Sequence, residues 1–241
     1  YWEYLRLEQL LSLQGGLAGE GPEAAEELSN DEVLFITVHQ VFELWFQLVL
    51  RELRSARNLF TGELVAEQEL SGAVERLRRV ATIFRTGVTH FELVETLGCH
   101  EYLDFRRKLM PASGFQSDQL RRVEILFGLR EEDRIPLGAP GSHLSALQGP
   151  GGKSTPAYER VQAQLRDTPT FKDAIESWLL RTPIDGVPFD DPRAQERLDS
   201  FLESYLACHA AEVGEDEAHA LSMAGRCQDR TVMAFDEAHY A

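Results

Sequence analysis

The 241-residue chain is 43% hydrophobic and 27% charged, enough apolar material for a sizeable core in one large domain or two small ones. Its 40 acidic against 24 basic residues leave a formal charge of −16, which argues against nucleic-acid binding, because that needs Lys and Arg concentrated against phosphate. No run approaches about 18 uninterrupted apolar residues, so no membrane span is expected. The three cysteines, Cys99, Cys208 and Cys227, have no CxxC spacing. They argue against a disulfide framework or zinc knuckle and for a reducing cytoplasm. Tyr1 to Arg6 shows neither a basic leader nor a signal-peptide core, and with no starting Met, leading residues are expected to lie outside this sequence.

The periodicity is helical nearly throughout, and no alternating strand stands out. A short helix is predicted over Trp2 to Ser12, ending near Gly15-Gly16, with an acidic linker after it. Ser29-Asn30-Asp31 reads as the N-cap of a helix from Glu32 to Phe60. Its run of Val33, Leu34, Phe35, Ile36, Val38, Val41, Phe42, Leu44, Trp45 and Phe46 leaves little polar face, so it should run through the interior. A second long helix spans Glu67 to Thr96, and a short one Glu101 to Leu109 is broken by Pro111. Ser117 caps a helix carrying Leu120, Val123, Ile125 and Leu126. Gly, Pro and Ser crowd residues 138 to 154, the composition of a flexible loop. Helices follow over Tyr158 to Leu165, Thr170 to Leu180, Arg193 to Val213 and Glu215 to Phe235. The expectation is an all-α protein, a single domain over 1–241 built as a bundle of long antiparallel helices.

Two blocks carry chemistry. His39 and Glu43 stand four apart in a helix that is otherwise apolar. The pair reads either as a core histidine satisfied by a carboxylate or as a base in a cavity with its tautomer set by a neighbour. Arg106 precedes the turn Pro111-Ala112-Ser113-Gly114. It is either an ordinary surface arginine or a carboxylate clamp gripping through two parallel hydrogen bonds. Ser113 either bonds local backbone or turns its hydroxyl into the cavity. An apolar chamber with one imidazole and one guanidinium suits an aromatic amino acid.

Taken together, these blocks resemble the tryptophan 2,3-dioxygenase family and its relatives. The resemblance lies in Tyr1-Trp2-Glu3-Tyr4-Leu5-Arg6-Leu7, in Asp31-Glu32 with Leu34 to Gln40 and Glu43-Leu44-Trp45, and in Tyr102-Leu103-Asp104-Phe105-Arg106 through Pro111 to Ser117. It implies an all-helical, homo-oligomeric enzyme, tetramer or dimer, that binds heme b and uses O2 or peroxide on an aromatic amino acid. It further implies that His39 is the distal histidine facing the substrate ring. Phe35, Tyr102 and Leu109 would wall the pocket, Arg106 hold the carboxylate, and Ser113 lie near the bound oxygen. Tyr1, Tyr4 and Leu5 would reach a neighbouring subunit's pocket.

The family's proximal histidine sits in a pattern of the form Trp-Arg-x-x-His-x-x-x-Val. Its best counterpart here is Tyr205 to Val213 around His209, with Tyr205 and Val213 on one helical face with it, and His239 comes second. The Trp-Arg pair is absent, as is a Gly-Thr-Gly-Gly type run after Val213. That second departure leans the expectation towards ring hydroxylation of L-tyrosine in a natural-product pathway. Indole-ring cleavage of tryptophan is the alternative. A heme-free binding protein of the same fold and a non-heme metal site using His39 and Glu43 are the other readings.

Overall fold

The computed structural model describes residues 1–63, 65–109, 116–134, 142–183, 187 and 191–224, apart from the side chains of residues 22, 142, 143, 205, 209 and 212–224. Its helices in chain order are α1 (Trp2–Leu5), α2 (Leu7–Leu10), α3 (Pro22–Glu26), α4 (Asn30–Phe60), α5 (Glu67–Glu95), α6 (Cys99–Leu109), α7 (Asp118–Phe127), α8 (Ser142–Ser145), α9 (Pro156–Arg166), α10 (Phe171–Arg181) and α11 (Ala194–Ala224). The protein is all-α, with no strand among the described residues; Gly149 and Lys153 form an isolated bridge. Where the sequence leads one to expect a single domain over 1–241, the chain divides into two compact units, Tyr1–Trp178 and Leu179–Ala241.

In the first unit, α4 is the axis. The Ser29 hydroxyl accepts the Glu32 backbone N–H at 3.1 Å, and Asp31 and Glu32 place negative charge against the exposed N–H groups of the first turn. Val49, Leu50, Leu53, Ala56 and Phe60 then repeat along one face of the helix. They are buried against Ala73, Val80 and Ile83 of α5, Val123 and Leu126 of α7, and Phe171 and Ala174 of α10. Gly87 lets α5 come close, because a Cβ there would stand 3.2 Å from the Phe42 ring. α7 ends at Gly128, whose φ of 101° gives the left-handed cap that a side chain would resist.

Polar ties lock the helices around this core. Lys108 of α6 bonds Glu32 at 2.8 Å, and the Gly98 N–H donates to Asp31 at 3.0 Å. Gln119 of α7 donates to the Glu43 carbonyl at 2.7 Å and to its carboxylate at 2.9 Å. Arg160 of α9 holds both oxygens of Asp118 at 2.8 Å. Arg57 meets Asp167 at 2.8 Å. Near the chain start, Gln40 donates to the Leu13 carbonyl at 2.7 Å and accepts from Gln14 at 2.9 Å, docking the N-terminal segment on α4.

Several expectations change. The helix predicted over Trp2 to Ser12 is two short pieces, divided at Arg6, which adopts φ 54° and bonds Gln9. The helices predicted over Arg193 to Val213 and Glu215 to Phe235 are one element as far as Ala224, because a single Gly214 costs only about 1 kcal/mol in a helix interior. Of the described helices, α4 is long and apolar enough to cross a membrane by length and composition, a property that counting uninterrupted apolar residues misses. Here it packs between α5, α6 and α7, and its Glu32 and Glu43 side chains are bonded to those neighbours.

Candidate functional site

The face of α4 that precedes the core carries Phe35, Val38 and His39, and α6 lies against it. Tyr102, Phe105, Arg106 and Leu109 fall at helical spacings of three and four, so they share one face of α6. Phe105, only 2% exposed, anchors that face. Its ring centroid lies 5.4 Å from Phe35 and 5.5 Å from Tyr102, the second pair edge-on. Phe35 and Tyr102 are 6.5 Å apart, and the His39 ring lies against Phe35 with centroids 4.0 Å apart, tilted by 36°. These separations are those of favourable aromatic pairing. Phe105 completes a wall of which Phe35 and Tyr102 are legible in the sequence. Its own signal was its place three residues after Tyr102.

His39 is exposed rather than buried in the core. Its Nδ1 lies 2.7 Å from the Phe35 carbonyl, which can only accept. Nδ1 therefore carries the proton, and in the neutral ring Nε2 is left as a free acceptor. The pairing of His39 with Glu43 does not form, because Glu43 is committed to Gln119. The histidine satisfied by a carboxylate and the non-heme ligand pair both lose their geometry.

Arg106 is half-buried, as are Tyr102 and Leu109, and it bonds no group among the described residues. Tyr1 and Tyr4 stand 86% and 89% exposed, and Leu5 is exposed too, so they line no pocket among the described residues. Ser113 and His239 lie outside the described residues. His209 falls within α11, its side chain outside the described set. No group of three or more His, Cys, Asp or Glu gathers among the described residues. Cys99 and Cys208 are free thiols at the surface. A cavity of about 560 Å³ opens further along α4, towards α7, and none of the predicted site residues lines it.

The fold and this wall define a class: helical proteins presenting an aromatic surface with one free ring nitrogen and one half-buried guanidinium. Comparison with known proteins is specific. Residues 1–233 match the family described as tryptophan 2,3-dioxygenase. A relative of that name from Sorangium cellulosum is 48% identical over 205 residues, covering 85% of this chain and 48% of the relative. Tryptophan 2,3-dioxygenase 2 from Ralstonia nicotianae is 43% identical over 212 residues, covering 88% of this chain and 55% of the relative. A third, from Anopheles gambiae, is 35% identical over 222 residues, 92% of this chain and 52% of its own. The chain belongs to the tryptophan 2,3-dioxygenase family. It spans about half the length of the curated relatives it matches.

Proposed function

We propose that this chain forms part of a heme-dependent tryptophan 2,3-dioxygenase, which adds both atoms of O2 across the indole C2–C3 bond of L-tryptophan. The observation that carries it is the free Nε2 of His39, set by the Phe35 carbonyl beside a wall of Phe35, Tyr102 and Phe105. An indole offers one N–H donor on a flat apolar body, and this surface offers one acceptor on a flat apolar wall. The names of the relatives support the same substrate. The lean towards tyrosine rested on a missing glycine-rich run. That absence carries no weight in a chain covering about half its relatives' length.

In the proposed site Arg106 takes the substrate carboxylate through two parallel hydrogen bonds and leaves the α-carbon pointing at the wall. Phe35, Tyr102, Phe105 and Leu109 hold the ring and exclude water from its faces. His39 accepts the indole N–H at Nε2, fixing which edge of the ring faces outward. The aromatic wall and the Nε2 of His39 are the described groups that would meet the substrate beside a bound heme. We assign the iron ligand to His209, with His239 second, and Ser113 to the oxygen side. Heme, when bound, supplies the oxygen chemistry. Tyr1, which precedes α1, and Tyr4 and Leu5 on it are exposed and are offered to a neighbouring subunit of a homo-oligomer.

The test is product analysis of the heme-loaded protein with L-tryptophan and L-tyrosine side by side under O2. Ring-opened tryptophan with tyrosine untouched is expected. Hydroxylated tyrosine with tryptophan unchanged overturns the assignment.

A further inference from the structure

The cavity between α4 and α7 has a charge opposite to the protein as a whole. In a chain of net charge −16, its lining holds Arg51, Arg54 and Arg122 and no carboxylate, with Leu44, Leu48 and Gln119 among the other walls. Of the three guanidiniums, only Arg122 shares a carboxylate among the described residues. Arg54 donates to the neutral amide of Gln164 at 2.7 Å. Arg122 reaches Asp118 only at 3.6 Å, and both oxygens of that carboxylate already accept Arg160 at 2.8 Å. Arg51, at the mouth, bonds no group among the described residues. Burial pulls the Arg54 pKa below its ordinary value, and repulsion from Arg122 and Arg57 adds to it against the pull of Asp167. Leu44, 49% exposed, offers an apolar patch beside these cations.

We propose that this cavity is a second small-molecule site, taking an organic dianion: two carboxylates joined by a compact apolar body. Two carboxylates let Arg51 and Arg122 each grip bidentately and screen Arg54 from Arg122. The apolar body covers Leu44 and Leu48. A volume of about 560 Å³ suits a ligand of this size. The site is separate from the aromatic wall, since Phe35, His39, Tyr102 and Arg106 contribute nothing to its lining.

The test is calorimetric titration of the full chain with benzene-1,3-dicarboxylate, its neutral diamide and inorganic phosphate. Saturable binding of the dicarboxylate is expected, with the diamide and phosphate each at least about tenfold weaker. Arg122→Gln should weaken the dicarboxylate by about tenfold, and Arg51→Gln by a smaller factor. Arg106→Leu should leave this titration unchanged, which separates the outcome from that of the amino-acid site. Arg51 is exposed, so its variant keeps the test open if Arg122→Gln loses its helical circular dichroism. Equal binding of dicarboxylate and diamide, phosphate binding as tightly as the dicarboxylate, no binding of any probe, or loss on Arg106→Leu with none on Arg51→Gln would each overturn the proposal.

Discussion

At the scale of single residues, a backbone carbonyl decides what His39 can do. The Phe35 carbonyl accepts a hydrogen bond from Nδ1–H, so Nε2 is an acceptor while the ring is neutral. Arg106 is a half-buried cation that bonds no group among the described residues, which leaves its planar fork available to a carboxylate. Arg106→Leu is therefore expected to weaken L-tryptophan binding by at least about tenfold and to leave tryptamine binding nearly unchanged. Equal losses for both ligands in a binding titration would remove the clamp. Trp45 makes a different point. Its indole N–H is buried without a hydrogen-bond partner among the described residues, a state that costs about 1–3 kcal/mol. Trp45→Phe, which removes that donor and keeps an aromatic ring, should shift urea unfolding by less than about 1 kcal/mol or raise stability. The blocks around His39 and Arg106, and the family likeness they carry, made both residues visible in the sequence. They could not show that Glu43 turns to Gln119, because that partner lies 76 residues away.

At the scale of helices, caps and apolar faces were the readable part. Ser29 and Ser117 both cap where the sequence places them, and α5 and α6 begin and end within about two residues of the predicted bounds. The break at Arg6 was unreadable, since a left-handed arginine carries no local signal, and nothing in the structure explains it. What joins the helices was unreadable too. Asp118 on α7 takes Arg160 from α9 across 42 residues. Burial pushes the Asp118 carboxyl up, but the Arg160 hydrogen bonds and the charges of Arg160 and Arg122 together hold it below the usual range. A depressed folded pKa means the stabilisation is complete above the unfolded value of about 3.9 and is lost as pH falls through the folded one. Asp118→Asn should cost about 1–3 kcal/mol near pH 6 and flatten the acid limb of stability against pH. Denaturant unfolding at pH 6, 4 and 3 checks this, and parallel curves for the two proteins would contradict it.

At the scale of the molecule, the proposed iron ligand lies in the unit Leu179–Ala241 and the aromatic wall in Tyr1–Trp178. His209→Ala is expected to abolish the Soret band of heme-loaded protein with helical content intact, and His239→Ala to keep it. A normal band in the first variant moves the ligand elsewhere.

The sequence by itself determined the all-α class, the caps at Ser29 and Ser117 and the two blocks that carry the family likeness, because helical period, caps and short motifs are local properties. It led one to expect the apolar run Val33 to Phe46 in the interior, whereas the buried face of α4 is carried chiefly by Val49, Leu50, Leu53, Ala56 and Phe60, and Leu44 is 49% exposed. Only the tertiary structure decided that Phe105 centres the wall, that Glu43 is bound to Gln119, and that Arg51, Arg54 and Arg122 converge on a cavity free of carboxylates. Those facts depend on which helix faces pack together. Packing pairs residues far apart in the chain, where no spacing rule reaches.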